Sequence, residues 1–409
     1  MAYQKVTTTS YGGRLKNALS GVLMGFVMLI GSVILLFWNE GRTVKTTKML
    51  KEAQKVCTEL GDISEVNADM DHMMVHATGQ ATTEDILTDD EFDLSINAIK
   101  LIRDAEYYQW VEHQETKTRD KVGGGQETIT TYTYSKEWVD EPVDSDKFED
   151  PEYRGIDNSV PAEFDDFTIQ AENVAFGAYR LPKDLVSQMS DDRTLPLELS
   201  NEVTKFYNNE MHKVLPDAAK DEQLFHVKGN MVYFGENTSR PRVGDVRITY
   251  RQVLPGEVSI LAKVNGDTFE EFTAKNSYSF MALEDGAVSM ENMFENQHAN
   301  NRALAWLLRI IGVLLAIFGF RNIFGIITSL LKVLPFLANI ADLGVGLVAI
   351  VLGLALSLVV IAVGWLFYRP LLGILLLAGA GVLIYFLGKR SKEKHAAKLA
   401  AEAAATPAE

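Results

Sequence analysis

The sequence predicts a membrane protein of the α+β class: four transmembrane helices, with a large β-rich α+β domain outside the bilayer inserted between the first and the second. Three observations carry this. Uncharged apolar runs long enough to cross a hydrocarbon core about 30 Å thick occur at Ala18–Asn39, Leu343–Tyr368 and Pro370–Gly388. The acidic charge is concentrated in one stretch, Gly41 to Arg302, whose 27 Lys+Arg against 50 Asp+Glu give a net of -23 where the whole chain has -16. Within that stretch the hydrophobic pattern alternates with a period of two, as half-buried strands require.

Taken in order, residues 1–17 form a short N-terminal segment and residues 18–39 the first span. No small-residue cleavage motif follows this span, so it reads as a retained anchor. Residues 40–302 form the acidic domain. Gly41–Leu60 reads as a helix leaving the membrane, with Lys45, Lys48, Lys51 and Lys55 at three- and four-residue steps. Residues 98–113 and 127–139 read as two strands of a long hairpin with Gly123–Gly125 at its tip, and Asp140–Asp166 as an irregular connector. Short helices are expected at Leu181–Ser190 and Ser200–Asn209. Strands resume at Leu224–Phe234, Val243–Leu254, Glu257–Val264 and Thr268–Thr273, and Asn265-Gly266 marks a tight turn. Asp285–Asn301 reads as an amphipathic helix leading into a second span, 303–320, whose Arg309 is placed to snorkel to the headgroups. A connection at 321–342, spans at 343–367 and 371–388, and a basic tail at 389–409 complete the chain.

Charge near the spans sets the expected topology. Lys5, Arg14, Lys16, Lys332 and the Lys389, Arg390, Lys392, Lys394, Lys398 tail favour cytoplasmic termini, which leaves the acidic domain periplasmic or lumenal. A domain this acidic repels phosphate backbones, which argues against a nucleic-acid partner. The seven histidines are scattered and no zinc, P-loop, kinase or nucleophile-elbow pattern is present, so no catalytic, cofactor or metal residues are assigned and an enzyme is not expected. One constellation stands out at the outer membrane face. The first span ends at Trp38-Asn39-Glu40-Gly41-Arg42, and Trp365 with the turn Tyr368-Arg369-Pro370 closes the last hairpin on the same face. A Glu40–Arg369 ion pair is expected there, flanked by Trp38 and Trp365 as aromatic belt anchors.

Several segments in order, NEGR at Asn39–Arg42, YQWVE at Tyr108–Glu112, Y-x-Y-x-x-E-W at Tyr132–Trp138, VGDVR at Val243–Arg247 and GWLFYRP at Gly364–Pro370, closely resemble the LUMA family, also called transmembrane protein 43. The resemblance implies four spans with the large domain between the first two. It also implies a non-enzymatic, multi-spanning scaffold without cofactor that self-associates, with membrane lipids and membrane or envelope proteins as partners. Eukaryotic members occupy the endoplasmic reticulum and inner nuclear membrane, and the alanine-rich tail Lys392–Glu409 instead suggests a bacterial inner membrane. A channel or transporter accessory subunit is the alternative, disfavoured because Arg309 is the only ionisable residue inside a predicted span.

Overall fold

The computed structural model describes residues 3–370 except 217, 220 and 334, without the side chains of 335–340. The fourth expected span, 371–388, and the basic tail lie outside the described residues. Three helices among those described are long and apolar enough to cross a membrane by length and composition, within Tyr11–Val56, Met290–Leu331 and Ala341–Tyr368. Among the described residues there are five α-helices: α1 (Tyr11–Val56), α2 (Lys183–Val186), α3 (Asn201–Val214), α4 (Met290–Leu331) and α5 (Pro335–Tyr368).

The helix expected at Gly41–Leu60, continuing the first span out of the membrane, is present as far as Val56. No glycine or proline with a breaking geometry interrupts the chain at Gly41, so α1 runs on through Val56. The expected connection at 321–342 is likewise mostly helix. Apolar residues continue α4 to Leu331, and Pro335, which lacks an N–H that a first helical turn would leave unpaired anyway, starts α5.

The chain forms two compact units. The β-rich unit comprises residues 3–9, 49–119 and 126–298. Its larger sheet runs Tyr3–Thr9, Gln126–Val139, Lys100–Asp120, Val246–Val253, Met231–Phe234, Phe225–Lys228. The predicted long hairpin is present, with Gly123 and Gly124 at positive φ in its tip. The strand expected at Leu224–Phe234 is two strands joined at Gly229 (φ 63°). The N-terminal residues expected to precede the membrane as a free segment instead form an edge strand, Tyr3 pairing with Tyr132 through Thr9 with Gln126. A second sheet centres on Gly256–Asn265, which pairs with Met74–Thr83 on one side and with Thr268–Glu270 and Ala282–Asp285 elsewhere along its length.

Inward-facing residues of both sheets share one core, with Ile248, Val246, Leu101, Tyr107, Val75 and Ile260 all buried. Phe92 lies at the centre of an aromatic group, its ring 5.1 Å from Tyr207, 5.6 Å from Phe164 and 6.2 Å from Tyr250. Beside it the buried Arg103 pairs with Asp89 at 2.9 Å and stacks on Phe167 at 4.4 Å, and the Tyr250 hydroxyl donates to the same carboxylate at 2.6 Å. The buried cation thereby has a counter-ion as well as packing, the condition under which burial of charge is tolerated. The last turns of α1 and the first of α4 also fold with this unit: Ala53, Met74, Leu261 and Phe294 form a buried cluster. Cys57, beside that cluster, has its thiol pushed up to about 12 by burial, which makes it a poor nucleophile.

Candidate functional site

The second unit contains Ser10–Lys48 of α1, the hairpin tip Asp120–Gly125 and the chain from Ala299 onward. Here α1 and α4 pack antiparallel along small residues. A Cβ built on Gly25 would lie 2.6 Å from the Gly319 carbonyl oxygen and 3.0 Å from the Ile323 nitrogen, and one on Gly312 would lie 2.5 Å from Leu36. Such close backbone approach replaces the hydrophobic drive that lipid does not provide between helices. Polar side chains complete the seam. The Ser32 hydroxyl donates to Gly312 O (2.7 Å), Asn39 Nδ2 to Ala305 O (2.9 Å), and Asn301 Nδ2 to Thr43 O (3.1 Å).

Gly25→Ala is expected to cost about 1–3 kcal/mol, because backbone atoms must move to admit the methyl. Gly31→Ala, which meets nothing within 4 Å, is expected to be neutral or slightly stabilising through helix propensity. Thermal unfolding of the two variants in the same detergent distinguishes them.

At the Asn39 level the seam holds a closed polar cluster. Glu40 is fully buried. Arg309 grips its carboxylate in a two-pronged contact, Nε to Oε1 at 2.6 Å and Nη2 to Oε2 at 2.9 Å, and Trp365 Nε1 donates to Oε2 at 2.8 Å. Gly364 opens the space for this: a Cβ there would stand 3.0 Å from both Cβ and Cγ of Glu40. Gly41 does the same for Tyr368, whose ring would lie 2.7 Å from an added Cβ. Phe37 packs its ring against Phe367 and Tyr368 at 5.9 and 5.4 Å.

The expected Glu40–Arg369 pair is therefore replaced by Glu40–Arg309. Arg369 lies a turn beyond Trp365, donating its backbone N–H to Trp365 O and placing its guanidinium 5.9 Å from the Trp365 ring. Arg309 does not reach for headgroups, because a buried carboxylate across the helix pair is a stronger partner than distant water. Trp365 is a hydrogen-bond donor inside the cluster. Trp38 is 53% exposed. Arg42 contacts Thr43 Oγ1 at 3.4 Å, and Pro370 follows Arg369 at the end of the described chain. Sequence reasoning singled out Glu40, Gly41, Trp365 and Tyr368, which the fold brings together. It missed the roles of Arg309, Gly364 and Asn301. The one available signal was Arg309 itself, a lone charge in an apolar run.

Chemically the cluster is a lock. Three charge-assisted donors occupy the carboxylate oxygens, the net charge cancels, and the carboxylate is held by helices α1, α4 and α5 at once. Among the described residues no group of three His, Cys, Asp or Glu is arranged to hold a metal ion.

The family model for Transmembrane protein 43 matches residues 107–370. The chain is 29% identical to Transmembrane protein 43 of Rattus norvegicus over 387 residues, covering 91% of each. It is 28% identical to the protein of that name from Homo sapiens over 394 residues, 93% of this chain and 92% of the relative. It is 26% identical to the Transmembrane protein 43 homolog of Drosophila melanogaster over 373 residues, 89% of this chain and 93% of the relative. No solved structure matches the chain.

Proposed function

The chain belongs to the transmembrane protein 43 family, and on that premise we propose that it is a non-enzymatic membrane scaffold that self-associates and organises membrane or envelope proteins through its β-rich domain. The observation that carries the reading is the free edge of the larger sheet. Tyr3–Thr9 pairs with Gln126–Tyr132 on one side, and no strand among the described residues covers its other side. An unpaired strand of this kind adds to a second copy through main-chain hydrogen bonds. The self-neutralised Glu40 cluster supports the same reading, since it fixes a rigid platform and offers no open polar path. On the strength of its alanine-rich tail we place the protein in a bacterial inner membrane, and on the charges flanking the spans we place the β-rich domain in the periplasm.

Edge pairing about a two-fold axis brings like residues of the two copies together. In a Cys57→Ser background, single cysteines at Gln4, Val6 and Thr8 are expected to give a disulfide-linked dimer at one of these positions when membranes are mildly oxidised. A cysteine at the exposed Glu202 of α3 is expected to stay monomeric. Absence of cross-linking at all three edge positions would remove the edge from the proposal.

A further inference from the structure

Within the helical unit, one short spacing occurs on each of α1, α4 and α5. Trp38 and Arg42 carry it on α1, Arg302 and Trp306 on α4, and Trp365 and Arg369 at the end of α5. Four residues separate the members of each pair, so they share a helix face, with the arginine about 6 Å along the axis from the tryptophan. α4 runs antiparallel to α1, and its pair is written in the reverse order. α5 meets Glu40 at Gly364 and Ile317 at Gly353, so it runs with α1. Arginine therefore lies beyond tryptophan in the same direction on all three helices. The heights agree as well: Asn39 Nδ2 donates to Ala305 O at 2.9 Å and Trp365 Nε1 to the Glu40 carboxylate at 2.8 Å, which places the three tryptophans in one layer.

Trp38 and Trp306 are 53% and 63% exposed, on the outside of the bundle. Beyond them Arg302, Lys45 and Lys48 are exposed and Arg42 and Arg369 half-buried. No Asp or Glu occurs from Gly41 to Lys48, from Ala299 to Leu308 or from Gly364 to Pro370, so this rim carries five cations and no carboxylate in a chain of net charge -16. An indole layer followed by a cationic layer matches the depth profile of a lipid leaflet. Tryptophan settles at the headgroup level, and the polar zone on each side of the hydrocarbon is roughly 5–8 Å deep. At about 6 Å from the indoles the three arginines stand among the phosphates. Lys45 and Lys48 lie further out, within about one Debye length of that layer.

We propose that this rim of the helical bundle binds anionic phospholipids, each tryptophan lying along the glycerol region of a lipid while the arginine one turn further out holds its phosphate. A guanidinium suits the role because its planar fork meets two phosphate oxygens at once. Zwitterionic lipids also carry a phosphate, but their own cation is repelled by a rim of uniform sign. Selection is therefore for headgroups of net negative charge, such as phosphatidylglycerol. Each cation near the surface is worth about fivefold in lipid association. The site gives a role to Arg42 and Arg369, the arginines of the NEGR and GWLFYRP segments, which the carboxylate of Glu40 does not engage. The buried Glu40–Arg309–Trp365 contacts act beneath it by fixing the heights of the three helices.

The test uses the full chain in vesicles of phosphatidylcholine and phosphatidylglycerol, with brominated acyl chains on one lipid or the other. Bromine quenches only the tryptophans it touches, and Trp38, Trp306 and Trp365 all lie at this rim while Trp110 and Trp138 belong to the β-rich unit. Quenching by each lipid thus reads its association here. Phosphatidylglycerol is expected to associate about fivefold or more above phosphatidylcholine at low salt, with the preference shrinking as sodium chloride is raised. Lys45→Gln, Lys48→Gln, Arg302→Gln and Arg369→Gln combined are expected to lower that ratio by about fivefold or more. Lys117→Gln, Lys147→Gln, Lys213→Gln and Lys228→Gln combined, an equal loss of charge from exposed positions of the β-rich unit, are expected to leave it unchanged. No preference in the unaltered chain, or equal losses from the two sets, would overturn the proposal. Sodium phosphate is expected to act as sodium chloride does at equal ionic strength; specific displacement by phosphate would make this a site for the free anion and overturn the lipid assignment. Thermal unfolding in detergent checks that each variant is folded, and Lys45→Gln, Lys48→Gln and Arg302→Gln, all at exposed positions, decide the outcome if Arg369→Gln disturbs the bundle.

Discussion

Glu40→Ala is expected to destabilise the helical bundle by about 3–5 kcal/mol, because it leaves the Arg309 guanidinium buried without a counter-ion. Arg309→Ala is expected to do the same from the other side, stranding a carboxylate that has no exposure. The two losses are expected to be strongly non-additive, since either change alone destroys the pair. Replacing both partners together, as Glu40→Leu with Arg309→Met, is expected to recover much of the stability, because desolvation of both charges is then no longer required. Arg369→Ala is expected to change stability by no more than about 1 kcal/mol, the range of an exposed cation–π contact. Thermal unfolding in detergent, followed by tryptophan fluorescence, reads all of these. Equal effects of Arg369→Ala and Arg309→Ala would contradict the assignment of Arg309 as partner.

The second large effect is expected in the β-rich domain. Phe92→Ala is expected to cost about 3–5 kcal/mol, the usual range for emptying a fully buried aromatic site. The ring has no exposure and touches four other aromatic rings, Phe164, Tyr207, Phe234 and Tyr250, which cannot all collapse into the space. For a unit of this size the loss corresponds to a fall in Tm on the order of 10 °C. Phe92→Leu, which keeps most of the volume, is expected to lose less. Near-UV circular dichroism of the domain reports whether the aromatic group as a whole loosens.

The positions of these residues in the sequence explain which of them could be read in advance. The apolar runs and the glycine-tipped hairpin are local patterns, and both α1 and the strands at Lys100–Asp120 and Gln126–Val139 fall where hydropathy and period place them. Glu40 was recognisable because it ends an apolar run. Its partner was not, because Arg309 is 269 residues away and nothing local distinguishes a paired arginine from one that snorkels. Arg369 was the natural choice on loop length alone, and it misses because Glu40 lies level with Gly364 and Trp365, below the end of α5. The strand Tyr3–Thr9 was hidden for a different reason. It has a β-branched run, Val6 to Thr9, but it is short, polar and exposed, and only pairing with a distant strand makes it a strand at all. Buried polar seams such as Asn301 to Thr43 are invisible to hydropathy for the same reason, since their value depends on the acceptor across the helix pair.

Self-association is most directly tested by the mass of the particle extracted in mild detergent, measured by light scattering with the detergent contribution subtracted. A defined assembly of several copies, lost when residues 2–9 are deleted while the β-rich domain stays folded, is the result expected of a scaffold built through the free sheet edge. A monomer at every protein concentration, with the domain intact, would contradict it.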